Sequence, residues 1–558
     1  MLKLTPRLTA LSTLAVVLGV YLTVYGYGTL PPPLSWIFGA GSLPDLYEAS
    51  MEELQEGLRK GRFTSVDLVK AYFARIDEVN LKGPALRAVI ETNPSALKQA
   101  AELDEERKTS GPRGPLHGIP ILLKDNIATL HEEGMNTTAG SYALLDSIVP
   151  GDATVSAKLR AAGAILLGKA SLSEWANFRG LVPSGFCGRG GQCVSPYVPL
   201  GDPSGSSSGS GVAVAIGLAA GALGSETDGS IISPSNNNNI VGLKPTVGLT
   251  SRAGVIPISE HQDSVGPMCR TVADCAIILS AIAGRDPHDN YTLGQLATVP
   301  DYTKSLRRDG LKGARLGVPR KVLEGADANI LIAFNEALEV LRTLGAKVVD
   351  PADFEGEGEH GWNAEKEDVV LCGDLKVNVN SYLSKLVEVP TGTRTLADLI
   401  EFNKTHADKE LVEPFWNDQS RFIKSESTPQ DVAYFDALAH GYRMGRELGI
   451  DGVLKRYDVD AIVMPASEAS QPAAVAGYPI ISVSLGFQPP DVPLGEAAPT
   501  RMNGPGMPFG IAFLGTAYSE ETLFKYAYAY EQATKHRLRR RAYEEAVPKA
   551  QLKDVMKH

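Results

Sequence analysis

Dense runs of basic residues are almost missing from this sequence. Its 558 residues carry a formal net charge of -11, and the one basic cluster, His536 to Arg541, reads as a solvated helix end. A nucleic-acid-binding surface needs a basic patch, so nucleic acid is not an expected partner. Cysteine is scarce and odd in number: the five, Cys187, Cys193, Cys269, Cys275 and Cys372, cannot all pair within one chain. Their spacing does not suit zinc and no His pair lies nearby, so no metal and no other cofactor is expected. There is no G-x-x-x-x-G-K-[ST] run, which argues against P-loop chemistry. An internal repeat and a clean interdomain linker are missing too. What remains is 43% hydrophobic and 21% charged residues, the composition of an ordinary globular protein with a sizeable core.

The first residues are different. Lys3 and Arg7 precede an uncharged stretch from Leu8 to Leu30, and Pro31, Pro32 and Pro33 end any helix. As a helix this stretch would be about 34 Å long, enough to span a bilayer core. Residues 1–33 are therefore expected to be an N-terminal hydrophobic helix acting as a signal anchor. A cleaved signal peptide, with Gly26 and Gly28 as small residues before the cut, is the competing reading. The charges around the span place the body on the lumenal or extracellular side, or make it secreted if the segment is cleaved. Two expectations follow for such a compartment. The sequons at Asn136, Asn290 and Asn403 become glycosylation candidates. Cys187 and Cys193, which bracket the loop GFCGRGGQC, could close a disulfide ring. Cys269 and Cys275 read as core thiols.

Further along, Ser50 and Glu53 have the spacing of a capping box. A helix follows Thr64, with Val69, Tyr72, Phe73 and Ile76 on one face. Ile119 to Leu123 has the length of a buried strand and ends at Lys124. Ala164–Leu167, Leu316–Pro319, Ala461–Met464 and Ile480–Leu485 read as further buried strands among helical stretches. Val212 to Leu223, apolar on every face, reads as a buried helix. Asp353 to Asp368 reads as a polar surface loop. The alternation predicts an α/β fold: a large mixed, mostly parallel sheet covered by helices on both faces.

The densest chemical signal is GDPSGSSSGSGVAVAIGLAAGALGSETDGSIISPSNNNNIVGLKPT, residues 201–246. Gly/Ser-rich turns let backbone N–H groups converge on an anion, as in an oxyanion hole. Gly205 to Gly209 also fits the G-x-S-x-G elbow of α/β-hydrolases, with Ser207 as nucleophile and a downstream histidine as base. That elbow needs a strand before it, and Pro196, Pro199 and Pro203 oppose one. An S-x-x-K match at Ser95 and Lys98 lies in a charged helix without partner motifs.

This run resembles the amidase signature family: a Gly/Ser turn, an apolar stretch, GSETDGS and VGLKPT. The likeness extends to GIPILLKDNI, GAILLGKASLSEWANFRG, QDSVGPM, AVAGYPIISVSLG and MPFGIAFLGTAYSE, and so covers nearly the whole chain after the N-terminal segment. It implies hydrolysis of carboxamide bonds through a Ser-Ser-Lys triad; because no clean linker divides the chain, residues 34–558 are expected to form a single catalytic domain. Ser230 matches the nucleophile, Ser206 the bridging serine that usually follows a cis peptide bond, and Lys124 the base. The backbone amides of Thr227, Asp228, Gly229 and Ser230 match the oxyanion hole, and Ser207 a second serine that helps hold the lysine. Chemistry agrees, because a serine needs a base, and a lysine is one only when desolvation keeps it neutral. Three features depart from the commonest pattern: Asp228 in place of a glycine, Ile232 where an arginine is common, and the polar tract Asn236 to Asn239. The Thr-Asp-Gly-Ser form, SEWANFRG and SRAGVIPIS look most like the peptide-amidase branch, which implies small-molecule or peptide amides as substrates. Two other readings stay open, the catalytic subunit of a tRNA-dependent amidotransferase and a catalytically dead ligand-binding relative.

Overall fold

Short apolar runs become the strands of an eleven-stranded sheet. The computed structural model describes residues 43–355 and 364–556. The strands are β1 (Val89–Thr92), β2 (Pro120–Lys124), β3 (Ile165–Ala170), β4 (Phe186–Cys187), β5 (Gly191–Gln192), β6 (Gly221–Glu226), β7 (Val241–Lys244) and β8 (Ser264–Cys269). They continue with β9 (Arg315–Gly317), β10 (Lys347–Val349), β11 (Ala461–Pro465), β12 (Ile480–Phe487) and β13 (Pro508–Leu514). The sheet runs β1-β3-β2-β6-β8-β7-β12-β13-β11-β9-β10, and β4 and β5 form a separate hairpin.

The sheet is mixed, as expected, but not mostly parallel. Six of its neighbouring pairs are antiparallel and four are parallel. Residues buried on both faces give the same apolar runs whichever way a strand points, so composition could not reveal direction. The parallel trio β3-β2-β6 positions the site. Leu123 sits opposite Leu223 and Lys124 opposite Ala170, so all three carboxyl ends open on one edge, where open α/β sheets place their ligands. β8 runs the other way, with Ser264 opposite Glu226, and so delivers Gln262 and Asp263 to the same edge.

The apolar run Val212–Leu223 is not one helix. Helix Ser208–Ala215 ends, the chain turns, and β6 begins at Gly221. The break is at Gly217, whose φ of +69° favours glycine and whose added Cβ would lie 2.1 Å from the Leu46 carbonyl oxygen. Uniform hydrophobicity suits a buried helix and a buried strand alike, so periodicity missed the turn. The turn's buried carbonyls need donors, and three guanidinium groups supply them. Arg75 donates to Gly217 and Ile216 at 2.6 and 2.8 Å and to Ala550 at 2.7 Å. Arg270 donates to Ala219 and Ala49 at 2.8 and 2.6 Å. Arg537 donates to Ala215 and Asn239 at 2.9 and 2.7 Å and pairs with Glu48 at 2.9 Å. The basic cluster His536–Arg541 is therefore not simply a solvated helix end, since Arg537 is buried.

Other expectations divide. The capping box at Ser50 and Glu53 is present, and Thr64 caps helix Ser65–Val79. All five thiols are buried and free, so the Cys187–Cys193 disulfide does not form. In the β4–β5 hairpin Cys187 faces Gly191 rather than Cys193. Diagonal neighbours across a ladder are about 7–8 Å apart, beyond the usual reach of a disulfide. Asn403 is fully buried, and the Asn136 amide is engaged with Glu91 and Asp146; of the three sequon asparagines only Asn290 is exposed. The expected N-terminal helix lies outside the described residues, among which no helix is long and apolar enough to cross a membrane.

Candidate active site

Lys124 is the last residue of β2 and is fully buried. Its Nζ donates to Ser206 Oγ at 2.7 Å and to the Ser225 carbonyl at 3.0 Å. Burial pushes its ammonium down to about 7, against the smaller opposing pull of the Glu226 and Asp263 carboxylates. An amine that is about half neutral at pH 7 can accept a proton, which an exposed lysine cannot.

Ser206 follows a cis peptide bond from Gly205. Ser207, next in sequence, is fully buried at the N-cap of helix Ser208–Ala215. Its Oγ donates to the same Ser225 carbonyl at 3.2 Å, so it shares an acceptor with the lysine instead of contacting it. Its amide donates to the Ser230 carbonyl at 3.1 Å, which fixes the two serine turns against each other. Ser206 and Ser230 line one cleft of about 860 Å³, open to solvent, and Ser207 does not line it. No strand precedes Ser207 in the manner a nucleophile elbow requires.

Of the four residues expected to form the oxyanion hole, Thr227, Asp228 and Ser230 line the cleft. Gly229 turns the loop with φ +78°. Glu226 organises this loop from below. Its Oε2 accepts the Ile231 and Ile232 amides at 2.6 and 2.9 Å. Burial raises its carboxyl, while Lys244 and the Ile232, Ile231 and Gly229 amides favour the ionised form. Just before β8, Asp263 accepts the Thr227 hydroxyl at 2.6 Å and the Ile258 amide at 2.8 Å. Gln262 Nε2 bridges the Thr227 carbonyl at 3.3 Å and Glu367 at 2.8 Å.

The departures from the family pattern have structural places. The Ile232 amide serves Glu226, and its side chain is buried. The asparagine tract ties the loop down: Asn236 accepts the Gly510 amide at 2.7 Å, and Asn238 donates to the Pro203 carbonyl at 2.8 Å. Asn239 donates to the Tyr197 hydroxyl at 2.9 Å. Asp228 lies on the cleft, where burial first and the Glu367 charge second push its carboxyl well above the usual range.

Sequence reasoning missed the opposite wall. Glu367, Asp368 and Leu371 line the cleft from helix Ala364–Ser384, together with Gln471 and Arg421. The polar stretch Asp353–Asp368, expected as a surface loop, thus runs into this helix. No local signal marked it; only the QDSVGPM run hinted at Gln262 and Asp263.

Known proteins resemble this chain along most of its length. A sequence model of the family described as Amidase matches residues 67–524. A putative amidase of Arthroderma benhamiae is 41% identical over 545 residues, covering 93% of this chain and 90% of that protein. The crystal structure of a peptide amidase from Stenotrophomonas maltophilia superposes with a TM-score of 0.79 at 42% identity, covering 89% of this chain and 98% of that one. A glutamyl-tRNA(Gln) amidotransferase subunit from Geobacter metallireducens is more distant, 35% identical over 88% of this chain and 98% of its own length.

Proposed function

The chain belongs to the amidase family and hydrolyses amide bonds, and we propose that it does so with Ser230, Ser206 and Lys124 on primary carboxamides, the C-terminal amides of peptides among them. The observation that carries this reading is the buried Lys124 Nζ, 2.7 Å from Ser206 Oγ, with Ser206 and Ser230 on one cleft. Neutral Lys124 takes the Ser206 proton as Ser206 takes that of Ser230. Ser230 Oγ then bonds to the carbonyl carbon, and the resulting oxyanion lies against the amides of the Thr227–Ser230 loop. Collapse breaks the C–N bond. The proton passes from Lys124 through Ser206 to the departing nitrogen, which leaves as ammonia from a primary amide. Water attacks the acyl-Ser230 ester through the same relay, releasing the acid and restoring the serine. The similarity to the Stenotrophomonas peptide amidase along nearly its whole length supports the peptide-amide substrate. The expected anchor over residues 8–30 would place this activity outside the cytoplasm.

Ammonia release from a peptide amide by the purified chain, without any partner protein, tests the reading. An amidotransferase subunit or a dead relative would release none.

A further inference from the structure

Two carboxylates in the catalytic cleft have only uncharged hydrogen-bond partners. Glu367 accepts from Gln262 at 2.8 Å and from Gln471 at 3.0 Å. Asp228, two residues before the nucleophile, faces Glu367 and interacts with Ser470. Its Oδ1 is shielded from solvent and accepts no hydrogen bond. Among the described residues neither group forms an ion pair; the pull of Lys244 on Asp228 is smaller than the opposing push of Glu367 and Glu226. The cleft also holds a cation, Arg421. It lies 3.7 Å from Asp368 and 4.8 Å from the centre of the Phe178 ring, and Asp368 is further paired with Lys424 at 2.5 Å. The Arg421 charge is therefore engaged, whereas that of Glu367 is not. The cleft is also lined by Phe178, Ile258 and Leu371, apolar surface of the kind that accepts an alkyl stem.

We infer that the cleft selects amides whose acyl part carries an amine or guanidinium on an apolar stem, and that Glu367 sets this preference. The inference rests on the peptide-amide reading above and names its substrate class. Glutamine partners satisfy the Glu367 lone pairs without neutralising its charge, so a cation brought to it gains attraction that a neutral isostere does not. An anionic acyl group meets the Glu367 carboxylate as repulsion.

The test compares kcat/KM for three peptide amides that differ only in the C-terminal residue: lysinamide, norleucinamide and glutamic acid α-amide. At about 0.02 M salt, lysinamide is expected to exceed norleucinamide by roughly tenfold, and the glutamic acid amide to fall below it by a similar factor. Raising salt to about 0.5 M should shrink both ratios severalfold. Glu367→Gln, which is close to isosteric, should bring the lysinamide ratio towards one, and Arg421→Gln should enlarge it. Equal rates for lysinamide and norleucinamide overturn the inference and leave the peptide-amide reading standing. A lysinamide preference that survives both high salt and Glu367→Gln overturns it as well, as does a preference for the glutamic acid amide, which would assign control to Arg421. If none of the three amides is cleaved while Ser230 still reacts with a fluorophosphonate, the peptide-amide reading fails and the charge preference falls with it.

Discussion

At the scale of the residue, Lys124 trades stability for chemistry. Its folded-state value of about 7 lies below the ordinary 10.5 of a lysine. Between those two values the unfolded chain binds the extra proton, so this residue's contribution to stability rises with pH and is least favourable below 7. Lys124→Met should therefore abolish turnover yet raise the melting temperature more at pH 6 than at pH 9, which calorimetry at the two pH values would measure. An equal change at both would mean that the lysine is not held neutral. In the native enzyme the same titration should set the acid limb of kcat/KM near pH 7, with no histidine needed. The serines separate by position. Ser230→Ala should lower turnover by at least about 10³-fold and end fluorophosphonate labelling. Ser207→Ala, which removes one of two donors on the Ser225 carbonyl, should cost about tenfold or less. In the proposed relay Lys124 and Ser206 act as one unit, so adding Ser206→Ala to Lys124→Ala should cost little more than Lys124→Ala alone. Steady-state kinetics on the four variants decide this, and a Ser230→Ala enzyme near full activity would refute the mechanism. These residues were legible in the sequence because nucleophile, bridge and base each sit in a motif of specific residue types. Glu367 and Gln471 around them were not, since each comes from a separate stretch that only the fold assembles.

At the scale of the element, the turn between helix Ser208–Ala215 and β6 matters most. It places the Ser206 turn and the Ser230 loop at the same sheet edge. Gly217→Ala should cost about 2–4 kcal/mol, because positive φ strains the new residue and its Cβ meets the Leu46 carbonyl. A denaturant titration would report the loss; a change below about 0.5 kcal/mol would show that the turn relaxes. The hairpin β4–β5 gives a second expectation. With all five cysteines buried and unpaired, a thiol reagent should find none in the native protein and five after unfolding. Three thiols after unfolding would mean that two pair after all. Strand positions were mostly recoverable from apolar runs: Ile119–Leu123 is β2 shifted by one residue, and Ala461–Met464 is β11 but for its last proline. Strand direction was not recoverable, because it depends on long connections that leave no trace in a strand's own residues.

At the scale of the molecule, every residue of the proposed machinery lies between Lys124 and Gln471. Removing residues 1–32 should therefore leave a soluble enzyme with turnover within about twofold of the full chain, measured as ammonia release. Loss of activity on that truncation would show that the N-terminal segment supports the site. The α/β class was legible from the alternation of strand-length and helical runs. The expected single domain rested on the lack of any linker, and the mixed order of the sheet appeared only in three dimensions.

The three guanidinium groups under the Gly217 turn also set an order of assembly. They join carbonyls at 214–219 to Ala49 near one end of the described chain, and to Ala550 and Arg537 near the other. During synthesis the strand carrying the Glu226 platform leaves the ribosome about three hundred residues before Arg537. Until then the carbonyls that Arg537 will cap depend on water, and the turn cannot be sealed. The nascent chain is thus expected to carry Ser230 in an unfinished setting until Arg537 has emerged, and to gain catalytic competence only after that point.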